Sequence, residues 1–212
     1  MMFYFRYVFY LAIFVCFSSS HAGAYEDFFQ AVLRDDGHAV AGLLARGFDV
    51  NSRDERGQTA LHLALRDNSP GVAEALWKSP SLDLNALNAD DETAMMMAAL
   101  RGQTAWVRRF LDRGAKVHKT GWSPIHYAAT GPAADAVALL LDRGAPIDAE
   151  SPNRTTPLMM AARYGTEASV DLLLARGADA KRKNDLKLDA ADFARQSGRD
   201  FLVERIQRAA KR

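Results

Sequence analysis

Two clusters of methionine carry the most distinctive side-chain chemistry of the chain, because a thioether sulfur is a soft ligand for copper(I). The segment DETAMMMAALRG places Met95, Met96 and Met97 in a row, and TTPLMMAARYG contains Met159 and Met160. These residues belong either to a metal site or to a hydrophobic core that uses methionine as filler. The choice depends on the elements that hold them.

Other residue types with catalytic potential form no known motif. The chain contains no H-E-x-x-H zinc motif, no G-x-S-x-G nucleophile turn and no glycine-rich phosphate loop. Its aspartates and glutamates are scattered, and no pair is placed to act as general acid and base. The sequence therefore predicts no catalytic residue, no cofactor and no enzyme activity.

The first 24 residues differ from the rest of the chain. Arg6 is their only charge, an apolar run covers the 11 residues 7–17, and small residues follow up to Ala22-Gly23-Ala24. This order is typical of a secretory signal peptide, and the apolar run is shorter than the ~20 residues that span a membrane. We expect cleavage after Ala24, with the bond after Ala22 as second choice. The product would be periplasmic or secreted, without stable membrane insertion.

Composition narrows the possible partners of residues 25–212. The whole chain is 49% hydrophobic and 25% charged, which is typical of a globular domain. Removing residues 1–24 takes away one of its 27 Lys and Arg residues and none of its 26 Asp and Glu residues, so the remainder has no net charge. The only cysteine, Cys16, lies in that segment, so residues 25–212 contain none. Nucleic-acid binding requires an excess of basic residues, so no nucleic-acid partner is expected.

A segment of about 33 residues recurs along the chain. Five stretches align: QTALHLALRDN, ETAMMMAALRG, WSPIHYAATGP, TTPLMMAARYG and LDAADFARQSG. Their second residues are 34, 30, 33 and 33 positions apart, and all suit a helix N-cap: Thr59, Thr93, Ser123, Thr156 and Asp189. A second motif, as in FLDRG and LLDRG, recurs between them, and its glycine suits a left-handed helix C-cap. Each repeat is therefore predicted to contain two short antiparallel helices followed by a turn-rich loop.

These motifs resemble the ankyrin repeat, whose signature is T-P-L-H-x-A. GQTALHLA, WSPIHYAA, TPLMMAA and LLLDRGAPID are close to that pattern. The resemblance covers residues 25–212 and implies an all-α repeat solenoid of helix-turn-helix units with β-hairpin-like loops. Six units are predicted: an N-terminal capping repeat at 25–53, inner repeats at 54–87, 88–117, 118–150 and 151–183, and a polar C-terminal capping repeat at 184–212.

The repeat register answers the methionine question. Met95 falls in the core position of Leu61, and Met96 and Met159 fall where ankyrin repeats have a histidine that bonds the N-cap residue. Successive helical residues point ~100° apart, and clusters two repeats apart are separated by ~20 Å at 8–10 Å per helix. The methionines are therefore interpreted as core, and no metal site is predicted. Methionine is not expected to make the histidine's bond, so the third and fifth units should have weaker helix starts.

The resemblance also implies where a partner binds. Contacts in ankyrin repeats come mostly from loop residues before the N-cap and from the two residues after the paired alanines, on the concave face. Arg, Trp and Tyr dominate binding hot spots. The candidate partner-binding residues are Arg56, Arg66, Arg101, Trp122, Arg163 and Tyr164. Trp122 is the best candidate because its loop, HKTGW, is shortened, although its ring has the alternative of packing on that loop.

The predicted function is that of an exported, monomeric, bacterial ankyrin-repeat protein that binds another protein. In the first form of this hypothesis it is a scaffold or adaptor for an envelope protein. In the alternative it is an inhibitor or immunity-type protein that blocks a toxic enzyme. A metal carrier or a hydrolase is a remote third possibility.

Overall fold

The computed structural model describes residues 23–211. They form two compact parts, one ending at Leu82 and one beginning at Asp83, which are called here the N-terminal part and the C-terminal part. Within residues 23–211, no helix has the length and apolar character needed to cross a membrane. The predicted signal peptide falls on residues 1–24, of which 1–22 lie outside the described residues.

The described residues of the N-terminal part form four helices. Helix α1 covers residues 23–33, followed by α2 (Gly37–Ala45), α3 (Ala60–Arg66) and α4 (Pro70–Trp77). Both α2 and α3 pack against α4. Phe28 of α1 is fully buried and stacks on Phe48 with 4.4 Å between ring centroids, which fixes α1 to the segment that follows α2.

The C-terminal part repeats a pair of helices four times. The pairs are α5 (Ala94–Leu100) and α6 (Thr104–Asp112), α7 (Pro124–Thr130) and α8 (Ala134–Asp142), α9 (Pro157–Tyr164) and α10 (Glu167–Ala175), and α11 (Ala190–Gln196) and α12 (Asp200–Ala210). The first helices of the pairs pack on one another in order, and the second helices form another such layer. The all-α repeat fold predicted from the sequence is confirmed.

The first helices begin at the residues that the sequence predicts. The N-cap residues of α3, α5, α7, α9 and α11 are Thr59, Thr93, Ser123, Thr156 and Asp189. Pro124 and Pro157 occupy the first position of α7 and α9, where a missing N–H costs nothing. Paired alanines such as Ala98 and Ala99 are fully buried and allow neighbouring first helices to approach closely.

Three second helices of the C-terminal part are followed by glycines in the left-handed conformation. Gly114, Gly144 and Gly177 have φ of 92°, 89° and 89°, a region that only glycine adopts without a steric cost. The arginines before two of them form ion pairs with the preceding repeat: Arg143 with Asp112 at 2.7 Å and Arg176 with Asp142 at 2.8 Å. These ion pairs recur in register along the second-helix layer.

Three of the loops before the N-caps share one hydrogen-bond pattern. Asn88 Oδ1 accepts the backbone N–H groups of Asp90 and Glu92, both at 2.9 Å. Asp54 and Asn184 play the same part in two other loops, and Ser151 Oγ accepts the N–H of Thr155 at 2.9 Å. Isolated antiparallel bridges close two of the loops, and they join Arg53 to Thr59 and Leu87 to Thr93. The hairpin-like character expected of the loops is present in these two.

Candidate functional site

A hollow on the first-helix layer of the C-terminal part is the best candidate for a binding site. Its volume is about 210 Å³, and it is lined by Leu100, Trp122, His126, Tyr127, Thr130 and Met160. All of these except His126 are partly exposed, so the surface offered to solvent is largely apolar and aromatic. We call this site the Trp122 hollow.

Trp122 is held by its own repeat without being withdrawn from the surface. Its ring meets that of His126 edge to face, with 5.2 Å between centroids and 78° between planes. Lys119 Nζ donates to the carbonyl oxygens of Thr120 and Trp122 at 3.0 and 3.2 Å and forms an ion pair with Asp91. The lysine therefore orders the shortened loop. Trp122 is half-buried. The sequence left two alternatives, an exposed ring and a ring packed on its own loop, and the observed burial lies between them.

His126 is a structural residue under the hollow. It is fully buried, and its Nδ1 accepts the N–H of Ser123 at 3.3 Å. Its Nε2 lies 3.0 and 3.1 Å from the carbonyl oxygens of Ala149 and Thr155, so this nitrogen carries the proton that it donates. Burial lowers the pKa of His126, which keeps the ring neutral and suited to both roles.

Glu92 forms an acidic edge of the hollow, where it is bonded to Tyr127. The hydroxyl of Tyr127 donates to Glu92 Oε1 at 2.5 Å, and Asn88 Nδ2 donates to the other carboxylate oxygen at 2.9 Å. Burial, then the bond to Glu92 and the nearby carboxylates of Asp90 and Asp91, raise the pKa of Tyr127 far above its ordinary value. The phenol therefore stays protonated and its ring is fixed in place.

The methionines take the histidine's position at the helix starts. Met96 and Met159 are buried, and their sulfur atoms accept the N–H groups of Thr93 and Thr156 at 3.2 and 3.4 Å. The expectation that methionine makes no such bond is wrong, because a thioether is a weak hydrogen-bond acceptor. Among residues 23–211, no group of three or more His, Asp or Glu side chains is arranged to hold a metal ion.

The other predicted contact residues of the C-terminal part do not line the hollow. Arg163 donates to Gln196 Oε1 at 3.4 Å, and its guanidinium lies 5.2 Å from the ring centroid of Tyr164. Tyr164 is 57% exposed. Arg101 is the exposed C-cap residue of α5. The structure therefore groups Arg163 with Tyr164 and places Trp122 in a separate cluster.

The two predicted contact residues of the N-terminal part lie in different surroundings. Arg66 donates to both carboxylate oxygens of Asp67 at 2.8 and 2.7 Å and to Gln58 at 3.3 Å, so much of its bonding capacity is used within the chain. Arg56 borders a hollow of about 560 Å³ between α1 and the loop before α3, with Tyr25, Phe29 and Leu33 on its apolar side. These three residues, spaced by four on one helix, are the sequence signal that was missed.

Of the six residues that line the Trp122 hollow, Trp122 alone is among the candidate partner-binding residues named from the sequence. Met160 was interpreted as core, and Tyr127 occupies the same position of its own repeat, as do Leu63 and Met97. Leu63 and Met97 are indeed 5% exposed, whereas Tyr127 and Met160 are partly exposed. The sequence contained one signal for this difference. Tyr127 stands at a position that is otherwise apolar, and a buried tyrosine hydroxyl requires a hydrogen-bond partner.

Comparison with known proteins defines the family. Residues 28–121 and 107–184 match the sequence model of ankyrin repeats in three copies. The chain belongs to the ankyrin-repeat family. One relative of this ankyrin-repeat protein is the B-cell lymphoma 3 protein homolog of Mus musculus, which is 34% identical over 149 residues. That match covers 67% of this chain and 33% of the relative, so the chain spans a third of the mouse protein.

Two solved structures are similar over most of this ankyrin-repeat protein. One is a chain of the complex between the predatory endopeptidase Bd0816 of Bdellovibrio bacteriovorus and the immunity protein Bd3460, with a TM-score of 0.72, 25% identity, and coverage of 86% of this chain and 97% of that chain. The other is the ankyrin repeat domain of Bcl-3, with a TM-score of 0.64, 31% identity, and coverage of 84% and 81%. The chain is thus an ankyrin-repeat protein-interaction module.

Proposed function

We propose that this ankyrin-repeat protein is an exported inhibitor of the immunity type, which binds an endopeptidase that would otherwise damage the cell that makes it. The observation that carries this proposal is its similarity to the chain of the endopeptidase–immunity protein complex, of which 97% is matched. Almost every part of that neighbour therefore has a counterpart in this chain. Fold alone does not specify a partner, so the surface must supply the binding energy.

The Trp122 hollow is the proposed anchor point for the target. Binding energy at protein interfaces is concentrated in a few residues, with Trp, Tyr and Arg enriched among them. Trp122 and Tyr127 stand side by side in the hollow, and both rings are fixed by contacts within the chain. A fixed aromatic surface loses little conformational entropy when a partner binds. Arg163 and Tyr164 at the end of α9 would extend the contact.

The N-terminal segment supports the proposal of export. An apolar run of 11 residues, one preceding arginine and an A-x-A site are what a signal peptidase substrate needs. The remaining chain has no cysteine, so an oxidising compartment would not alter it. Export would place the inhibitor where a secreted or imported endopeptidase reaches its substrates. N-terminal sequencing of protein from a periplasmic extract should begin at Tyr25, and an uncleaved Met1 would contradict this.

The inhibitor hypothesis is tested by capture followed by an activity assay. The tagged protein would be expressed in its own host, crosslinked and analysed by mass spectrometry, and the captured partner would then be purified. An endopeptidase whose activity disappears at an equimolar ratio of the two proteins supports the proposal. A resident envelope protein whose activity is unchanged would contradict it and favour the scaffold hypothesis.

A pair of tryptophan variants connects the assay to the site. Trp122→Ala should weaken binding of the captured partner about 30-fold, the effect of a hot spot worth ~2 kcal/mol. Trp106→Ala is the matched control, because Trp106 lies on the second helix α6 beneath the Arg109 guanidinium and does not line the hollow. Circular dichroism and melting of both variants would show that the fold is retained.

A further inference from the structure

The polar groups of the Trp122 hollow are largely occupied within the chain. Thr130 Oγ1 donates to the carbonyl oxygen of His126 at 2.9 Å, and the hydroxyl of Tyr127 is bound to Glu92 at 2.5 Å. Both ring nitrogens of His126 have protein partners. These side chains therefore present ring carbons and methyl groups to a ligand. Binding inside the hollow depends on apolar contact.

The size of the hollow limits its occupant. Its volume of about 210 Å³ is below the ~300–1,000 Å³ of typical small-molecule pockets. A ligand of the size that such pockets hold would extend into solvent, whereas one large side chain of a protein partner fits.

The loop at one edge of the hollow is acidic. Residues 90–92 read Asp-Asp-Glu. Asp91 is paired with Lys119, while Asp90 is exposed on a turn that Asn88 orders through the backbone N–H of Asp90. All three carboxylates act on the Tyr127 hydroxyl, so their negative potential reaches the lining of the hollow. A partner group next to the filled hollow would meet this potential.

We propose that the Trp122 hollow binds a protein segment in which one large apolar or aromatic side chain is followed or preceded by Lys or Arg, with the apolar group in the hollow and the cation beside Asp90. This rests on the proposed function, since it specifies which feature of the target is recognised. The fixed interior provides apolar affinity, and the acidic edge provides selectivity through charge. A segment with acidic residues at that position is disfavoured by repulsion.

Selection of random peptides displayed on phage against the purified protein tests this inference. We expect the enriched peptides to pair a large apolar residue with an adjacent Lys or Arg. A synthetic peptide of the enriched sequence should bind Trp122→Ala at least about 10-fold more weakly, as expected for a hot-spot residue. Enriched peptides with acidic residues at that position, peptides that bind Trp122→Ala equally well, or no enrichment at all would overturn the proposal.

Charge variants test the acidic edge separately. Asp90→Asn should weaken the same peptide about threefold to fivefold, the range of an exposed ion pair, and the loss should shrink at high salt. Asp185→Asn is the matched control, because Asp185 is an exposed acid in the corresponding loop of the last repeat. An equal effect of the two variants would refute the role of Asp90. Since the peptide assay needs no enzyme, its failure is distinguishable from a failure of the inhibitor hypothesis, which only the activity assay detects.

Discussion

The first helices α5, α7 and α9 of the C-terminal part fill one position with two chemistries. On α7, His126 accepts the N–H of its N-cap residue Ser123 and donates to the carbonyl oxygens of Ala149 and Thr155, in the segment that leads to α9. On α5 and α9, Met96 and Met159 accept the N–H of their N-cap residues through sulfur. A thioether has no proton to donate, so it completes the start of its own helix and cannot bond the carbonyl oxygens of a following loop.

The comparison separates two tasks that histidine combines. Completing the helix start needs only an acceptor at the third helical position, and Asp192 on α11 performs it as well, since its Oδ2 accepts the N–H of Asp189 at 3.1 Å. Joining one repeat to the next needs a donor. In the C-terminal part, His126 both accepts at the start of its helix and donates to the next repeat. Its repeat is the one whose shortened loop carries Trp122, so the histidine link stabilises the surface that holds the hollow.

Removing the histidine should have the largest effect on stability. His126→Leu leaves the N–H of Ser123 and two buried carbonyl oxygens without their partner, and a buried polar group left unpaired costs about 1–3 kcal/mol. We expect a loss of about 2–4 kcal/mol in the free energy of unfolding, measured by urea titration. Met159→Leu, which keeps volume and loses one weak bond, should cost less than about 1.5 kcal/mol. Equal losses in the two variants would mean that the link between repeats contributes nothing.

The two chemistries also differ in their response to pH. Burial lowers the pKa of His126 below its ordinary value of 6.5, so the unfolded chain binds the proton more readily than the folded one. The stabilisation by neutral His126 is therefore complete above pH 6.5 and is lost as the pH falls below 6.5 towards the lowered folded pKa. We expect the wild-type melting temperature to fall more steeply between pH 7 and pH 5 than that of His126→Met.

The control for the pH experiment is a histidine in an exposed position. His38 lies exposed on α2, and His38→Gln measures the effect of removing a histidine that is not buried. The decisive plots are those of melting temperature against pH for His126→Met and for the wild type. If they remain parallel down to pH 5, His126 does not titrate on unfolding in this range.

The fold was predictable because its signals are local and repeated. An N-cap residue, a proline at the first helical position and a glycine after the second helix each act within a few residues, and five aligned copies reinforce one another. Thr59, Ser123 and Asp189 have different side chains, yet each begins a helix where the register places it. The Met96 bond was missed because the family pattern specifies a histidine, whereas the geometry requires only an acceptor.

The candidate site was less predictable because it depends on distances between repeats. Trp122 was found from residue type and loop length, but the exposure of Met160 is decided by neighbouring helices, and the same slot is buried at Met97. Arg66 was selected for its type alone, and its pairing with the adjacent Asp67 reduces its value as a contact. Side-chain type thus indicated the proposed binding face, while the lining of the hollow required the structure.

The smallest expected effect isolates the sulfur bond itself. Met95 and Met96 are adjacent on α5 and almost fully buried, with 1% and 0% exposure, but only Met96 sits where its sulfur accepts the N–H of Thr93 at 3.2 Å. Both Met→Leu substitutions keep volume, so Met95→Leu measures repacking alone. Met96→Leu should cost about 0.5–1 kcal/mol more in the free energy of unfolding, the value of one modest hydrogen bond at a helix start. A difference near zero would show that leucine serves this position as well, and that the expectation of a weaker helix start in this repeat was correct despite the bond.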